Sequence, residues 1–117
     1  MFSRGTGDTN PSLSRSSFIA MQENNHHRLR LDQASLLGVV GEQRITFSPK
    51  EWLLIDYLVA REGIAVSHES LLRALFRNSA GTKNALAVYV LRVNRKLIEA
   101  NCSQKIESVR SFGYRWT

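Results

Sequence analysis

The sequence predicts an α+β domain in which a small antiparallel sheet precedes three helices and a β-hairpin ends the chain. Three observations carry this prediction. Short strand-like runs fill residues 28–47, capping signals followed by apolar residues at helical spacing fill residues 48–100, and two strand-like runs flank a turn at the end. With 117 residues, 43% of them apolar, the chain has room for one domain with a modest core.

The first 27 residues differ from the rest of the chain. They are rich in Ser, Thr, Asn and Gly without sustained periodicity, so we expect a disordered arm before a domain spanning residues 28–117. His26 and His27 are adjacent, but no third ligand stands at a suitable spacing, so we expect a solvated pair and no metal. Because the sequence has no apolar run of 18 residues and no secretion signal at its start, we expect a cytoplasmic protein with no membrane contact.

Three short runs after the arm predict the sheet. RLRLD, SLLGVV and QRITF are separated by DQA and by GEQ around Gly41. Alternating apolar residues bounded by turn-forming residues are typical of antiparallel strands.

The first helix has the clearest start signal in the chain. Ser48 can cap it, Pro49 fits the first helical position, and Glu51 can accept a bond from the Ser48 amide, which together form a capping box. Gly63 supplies a left-handed stop after the helix. The apolar residues at helical spacing are Trp52, Ile55, Leu58 and Val59.

A second helix is predicted from Ser67, which can cap it, with Glu69 in the first turn. It ends before a loop of composition Asn-Ser-Ala-Gly at 78–81. The residues that we expect this helix to bury are Leu71, Leu72, Leu75 and Phe76.

The third helix is predicted from about Asn84 to Ala100, and its two faces differ in chemistry. One stripe would face the core: Leu86, Val90, Val93 and Leu97. The opposite side mixes donors with apolar groups: Asn84, Val88, Leu91, Arg92 and Arg95, flanked by Tyr89 and Lys96.

Such a mixed face suits a DNA major groove, where arginine binds guanine O6 and N7 and an apolar side chain contacts a thymine methyl. The alternative is that Val88, Tyr89 and Leu91 are buried against a neighbouring element or another subunit, since exposed apolar clusters often mark protein interfaces.

The last residues predict a β-hairpin made of KIESV, a turn at RSFG, and YRWT. We expect Gly113 to permit the turn and Arg110 to project at the tip, where it can reach a minor groove. The side chains expected to pack on the helices are Ile106 and Val109 on one strand and Tyr114 or Trp116 on the other.

Positive charge is concentrated in the last 45 residues. Residues 73–117 hold nine Lys/Arg against two Asp/Glu, whereas residues 28–72 hold five against six and residues 1–27 balance. This asymmetry favours one basic face that meets a polyanion, and the alternative is a solvated face with no partner.

The order of sheet, three helices and hairpin resembles a winged helix-turn-helix. ITFSPKEWLLIDYLV is similar to the first helix of the OmpR/PhoB-type effector domain, VSHESLLRALF to its second, ALAVYVLRVNRKL to its recognition helix, and IESVRSFGYRW to its wing. Four such segments in the right order make the resemblance specific over residues 28–117.

The resemblance implies a transcription regulator that binds double-stranded DNA sequence-specifically, with its third helix in the major groove and its wing in the minor groove. Family members commonly bind as dimers on repeated half-sites, so we expect a homodimer on DNA. The loop from Arg77 to Lys83 corresponds to a segment that can touch RNA polymerase, which includes Arg77, Asn78 and Ser79. Within these 117 residues we expect no phosphoacceptor receiver domain.

We expect Arg92 and Asn84 to read bases and Arg110, with Ser111 beside it, to probe the minor groove. The residues expected to contact the DNA backbone are Lys83, Tyr89, Arg95 and Lys96, while Val88 and Leu91 complete the surface.

The sequence also departs from the family pattern. The family often has aspartate at Ala87, histidine at Tyr89, a basic or polar residue at Leu91 and arginine at Asn94, so fewer phosphate contacts are expected. Ser111 stands where a glycine is usual.

Two other function classes remain as alternatives. The third helix has fewer basic residues than the family pattern, which favours a protein-interaction module that docks onto another regulator or the polymerase. An enzyme has little support, because Cys102 and His68 lie in different elements without a third group, and no P-loop or metal-ligand spacing occurs. No cofactor is expected.

Overall fold

The computed structural model describes residues 27–77 and 81–117, and within them the predicted order of elements is confirmed with one strand added. The expected arm lies outside the described residues except for His27. The strands are β1 Leu29–Asp32, β2 Leu37–Val40, β3 Gln43–Thr46, β4 Val66–Ser67, β5 Ile106–Val109 and β6 Gly113–Trp116. The helices are α1 Pro49–Val59, α2 His68–Leu75 and α3 Lys83–Glu99.

The first sheet is an antiparallel meander in the order β1-β2-β3. Leu29 pairs with Val40, and Gly38 pairs with Ile45, in a register that puts apolar side chains on one face. Leu29, Val40 and Ile45 are buried there, as alternating strands with one covered face require.

The capping box at α1 is confirmed in both directions. The Ser48 hydroxyl accepts a hydrogen bond from the Glu51 amide at 3.3 Å, and the Glu51 carboxylate accepts one from the Ser48 amide at 2.9 Å. Glu51 is itself buried, which the capping motif did not predict. Gly63 is left-handed, with φ 81°, but it lies in the turn after α1, which already ends at Val59.

The three helices share one core with the inner face of the sheet. Leu54, Ile55 and Leu58 of α1 are fully buried, and the predicted stripe of α3 is buried along its whole length. Three residues expected in the core are only partly buried, because they lie at the edges of this contact: Val59, Leu72 and Phe76.

The hairpin belongs to a second sheet in the order β4-β6-β5, and β4 was not predicted. Two residues are too few to show periodicity, so Val66 and Ser67 read as the approach to a helix. Trp116, 1% exposed, anchors this sheet in the core.

Gly113 has a different role from the one expected. It lies within β6 opposite Ser67 and not in the turn. A Cβ atom on Gly113 would stand 1.8 Å from the Val66 carbonyl oxygen, so glycine is required for the close approach of β4.

The left-handed residue of the hairpin turn is Ser111, with φ 60°. The Phe112 amide donates to the Val109 carbonyl at 2.9 Å and closes the turn around Arg110 and Ser111. A serine therefore adopts the conformation that usually calls for glycine. None of the helices in the described ranges has the length and apolar character needed to cross a membrane.

Candidate nucleic-acid interface

The third helix presents a buried face and an outward face, as the sequence predicted. Thr82 caps α3 by accepting a hydrogen bond from the Ala85 amide at 3.0 Å, and the helix begins at Lys83, one residue earlier than expected. The structure leaves all five predicted outward residues exposed: Asn84, Val88, Leu91, Arg92 and Arg95. Lys83, an expected contact to the DNA backbone, is exposed as well.

Tyr89 supports the outward face from beside it. Its ring is half-buried and lies 6.2 Å from the ring of Phe76, the residue that follows α2. The Arg92 guanidinium lies 5.6 Å from the Tyr89 ring centroid, within cation–π range. Arg92 is thus directed by a packed aromatic ring while its charge stays exposed.

The cations of this face have no acidic partners in the part of the chain that the structure describes. The ion pairs found there join other cations to carboxylates: Arg28–Glu62, Arg73–Glu69, Lys96–Glu51 and Arg115–Glu107. The cations of the outward face can therefore interact with an external anion: Lys83, Arg92 and Arg95. The same holds for Arg110 on the wing.

Lys96 is placed differently from its neighbours on α3. Its ammonium lies 2.6 Å from the Glu51 carboxylate and donates to the Thr46 carbonyl at 2.8 Å. Burial opposes the ionisation of Glu51, but the hydrogen bonds from Lys96 and Ser48 outweigh it and hold the pKa of Glu51 below its usual value. Lys96 thus has an internal partner that the sequence did not reveal, because 45 residues separate the two side chains.

The wing presents Arg110 and Ser111 at its exposed tip, as expected. Phe112 beside them is 46% exposed, and the sequence did not single it out. The turn of the wing is anchored where the amide of His68, at the start of α2, donates a hydrogen bond to the Phe112 carbonyl at 2.9 Å.

A cross-strand ion pair stiffens the hairpin. Arg115 lies 2.6 Å from Glu107, directly opposite in the β5–β6 register. The hydrogen bond from Arg115 lowers the pKa of Glu107 and keeps its carboxylate charged.

Helix and wing are joined by Asn94, whose side-chain amide makes two hydrogen bonds to the backbone of Ile106, both 2.9 Å long. The sequence flagged Asn94 only as a departure from the family pattern. No local signal predicts this contact, since it depends on how α3 packs against β5.

Of the predicted polymerase-contact loop, the structure describes only one named residue. Arg77 is exposed just after α2. Asn78 and Ser79 lie outside the described residues.

Other chemistry finds little support among these residues. Within 27–77 and 81–117, no cluster of three or more His, Cys, Asp or Glu side chains could hold a metal. Burial raises the pKa of the Cys102 thiol, which is the opposite of the shift that activates a nucleophilic cysteine. His68 packs edge-on against Tyr114, with ring centroids 5.7 Å apart.

Comparison with known proteins gives one consistent result. The response regulator PmrA of Pseudomonas aeruginosa is 32% identical over 90 residues, which are 76% of this chain and 39% of PmrA. This chain therefore spans about two fifths of the length of that relative.

Two solved structures share the fold. The DNA-binding domain of Bacillus subtilis CssR is 23% identical with a TM-score of 0.67, over 76% of this chain and 99% of that domain. The Klebsiella pneumoniae RstA DNA-binding domain, solved in complex with the RstA box, is 21% identical with a TM-score of 0.65, over 76% of this chain and 90% of that domain.

The family model described as "Transcriptional regulatory protein, C terminal" matches residues 41–116, which run from the turn before β3 to the end of the wing. This match, the winged-helix topology and the two-faced α3 agree: the chain belongs to the family of C-terminal, OmpR/PhoB-type effector domains of transcriptional regulatory proteins.

Proposed function

We propose that this protein regulates transcription by binding double-stranded DNA sequence-specifically, with α3 in the major groove and the wing in the minor groove. The observation that carries the proposal is the outward face of α3, where Arg92 and Arg95 are exposed near Asn84 and pair with no carboxylate of residues 27–77 and 81–117. The likeness to the RstA DNA-binding domain, solved in complex with the RstA box, supports a role in DNA binding.

The chemistry of this face divides between reading bases and binding phosphates. Arg92, braced by Tyr89, offers the fork that binds guanine, and Asn84 offers an amide suited to adenine. Lys83 and Arg95 bind phosphates, and the Tyr89 hydroxyl adds a donor. Val88 and Leu91 contact thymine methyl groups.

The wing extends the footprint into the neighbouring minor groove. Arg110 projects there, because a narrow minor groove has a strongly negative potential, and Ser111 offers a hydroxyl to the backbone. Lys96 contributes less to phosphate binding than Arg95, since Glu51 already neutralises its charge.

Selection of bound sequences from a random duplex pool, followed by titration of the selected duplex against a scrambled one, tests this function. We expect a preference of at least about a thousandfold at physiological salt, the lower end of specific recognition. Equal affinity for the two duplexes would refute sequence-specific binding.

A second candidate function rests on a separate observation. Val88 is 45% and Leu91 58% exposed, so the centre of the outward face is apolar. This favours a protein-interaction module that docks onto another regulator or RNA polymerase. Light scattering with each partner at high salt separates the two functions, because an apolar complex survives salt that dissociates a DNA complex.

The proposal includes a dimer on DNA, a contact with RNA polymerase and a cytoplasmic location. We expect two copies to bind repeated half-sites as a homodimer, and the segment that contains Arg77, Asn78 and Ser79 to contact RNA polymerase in the cytoplasm. Titration of duplexes with one and two half-sites gives the stoichiometry, and one bound copy on the longer duplex would contradict the dimer.

A further inference from the structure

The outer edge of the wing sheet carries backbone groups that pair with no strand among the residues that the structure describes. β5 is the edge strand, since the order is β4-β6-β5. Lys105 and Thr117 exchange both of their backbone hydrogen bonds, so in an antiparallel ladder the next pair, Ile106 and Trp116, is a non-hydrogen-bonded pair. The N–H and C=O groups of Ile106 therefore point away from β6.

Asn94 satisfies both of these groups. Its Nδ2 atom donates to the Ile106 carbonyl, and its Oδ1 atom accepts from the Ile106 amide, each at 2.9 Å. The side-chain amide of Asn presents a donor and an acceptor side by side in one planar group, as a backbone peptide does, so it takes the place of a neighbouring strand at this edge. Because Ile106 is buried, water is poorly placed to replace Asn94.

The position of this contact links the two DNA-facing elements. Asn94 lies in α3 between Arg92 and Arg95, in the turn that carries the exposed arginines. Ile106 begins β5, which leads to the tip at Arg110. The side chain of Asn94 thus ties the centre of the outward helix to the strand that supports the wing.

We propose that Asn94 is a positioning residue, which fixes the wing against α3 so that Arg110 enters the minor groove while Arg92 occupies the major groove. The inference rests on the proposed DNA-binding function and adds a requirement to it. Asn94 is half-buried and both ends of its amide are engaged with Ile106, so its effect on DNA is exerted through the wing and not by direct contact.

A double-mutant cycle on the selected duplex tests this role. In the wild-type background we expect Arg110→Ala to weaken binding about tenfold. In the Asn94→Ala background the same change should weaken binding less than about twofold, because without the tie to Ile106 the wing can shift relative to α3 and Arg110 loses its fixed position. Equal losses in the two backgrounds would overturn the proposal.

Arg92→Ala is the matched control in the same cycle. Its loss should be the same with and without Asn94, since Arg92 is directed by Tyr89 and not by the wing. If Asn94→Ala weakened the effect of Arg92→Ala as much as that of Arg110→Ala, Asn94 would support the fold in general, and the coupling would be refuted.

Hydrogen exchange gives a readout without DNA. We expect the Ile106 amide to exchange at least about tenfold faster in Asn94→Ala, while amides in the middle of α3 keep their protection. If Asn94→Ala does not fold, the cycle is run with Asn94→Asp, which keeps the volume and the acceptor but loses the donor, and the same outcomes decide. A wild type without sequence preference would instead refute the DNA-binding function, and the positioning role with it.

Discussion

The ammonium of Lys96 lies 2.6 Å from the Glu51 carboxylate, the same group that closes the capping box of α1. One buried carboxylate therefore holds the start of α1 and the last turn of α3 together. The Thr46 carbonyl, at the end of β3, accepts a further bond from Lys96 and brings the sheet into the same junction. This junction orients α3 before any DNA is bound.

Removing Lys96 should therefore affect folding. We expect Lys96→Ala to lower the free energy of unfolding by about 2 to 3 kcal/mol, because it leaves a buried carboxylate without its charged partner. Urea denaturation measures the change. Arg95→Ala, one residue earlier and exposed, should change stability by less than about 0.5 kcal/mol, and equal effects of the two variants would contradict the junction.

The pH dependence of stability should show the contribution of Glu51. The pKa of Glu51 is lower in the folded chain than in the unfolded chain, so its contribution to stability is present above the unfolded pKa and is lost as the pH falls through the folded pKa. We expect the free energy of unfolding of the wild type to decline on acidification below about pH 4.5, and that of Glu51→Gln to decline less. The pKa of Glu107 is also lowered, by its ion pair with Arg115 at the surface. The acid profile of Glu107→Gln therefore serves as the control for an exposed ion pair. Identical acid profiles for wild type and Glu51→Gln would contradict this prediction.

The turn of the wing offers a stabilising change. Ser111 has φ 60°, where glycine carries no steric penalty, so Ser111→Gly should raise the free energy of unfolding by about 0.5 to 1 kcal/mol after the entropy cost of glycine. Thermal denaturation measures the gain. Ser108→Gly, in the strand β5, should instead lower stability by a similar amount, and a loss in both variants would show that the turn imposes no strain.

Gly113 and Gly63 are required for different reasons: Gly113 for the close approach of another strand, and Gly63 for its positive φ. Gly113→Ala should lower stability by more than about 2 kcal/mol, because its Cβ would collide with the Val66 carbonyl and push β4 from the sheet. A Cβ atom at Gly63 would meet no atom within 4 Å, and the only cost of Gly63→Ala is the strain of an alanine at φ 81°. We expect this variant to lower the free energy of unfolding by about 1 kcal/mol. Urea denaturation of the two variants measures the difference in their free energies of unfolding. A Gly113→Ala variant as stable as Gly63→Ala would contradict the close approach of β4 to Gly113.

The sequence predicted those features whose causes lie within a few residues. The capping box at Ser48 and Glu51 and the buried stripe of α3 both follow from local spacing, and both are confirmed. The sequence favours Gly113 as the residue that permits the turn of the wing, because glycine is a common turn residue. Ser111 carries the left-handed turn, since the collision with Val66 that fixes Gly113 in the strand arises only after β4 and β6 pair.

The parts of the site that could not be predicted depend on long-range contacts. Lys96 and Arg95 are adjacent basic residues on one helix, and the sequence treated both as phosphate contacts. Only the packing of α1 against α3 brings Glu51 to Lys96, whereas Arg95 has no carboxylate partner within the described parts of the chain. In the same way, the sequence indicates Asn94 only as the loss of a phosphate contact. Its two hydrogen bonds to Ile106 depend on the packing of β5 against α3.

The distinction between Arg92, Arg95 and Lys96 leads to a prediction for DNA binding. Arg92→Ala should cost about 1 to 3 kcal/mol on the preferred duplex and relax selectivity at the base it reads, while Arg95→Ala should weaken all duplexes alike and reduce the salt slope by about one. Lys96→Ala, measured where it remains folded, should leave the salt slope unchanged, because Glu51 already neutralises its charge. Titrations at several salt concentrations measure all three. A salt slope that falls for Lys96→Ala and not for Arg95→Ala would mean that Lys96 leaves Glu51 to bind phosphate, and that the junction opens on DNA.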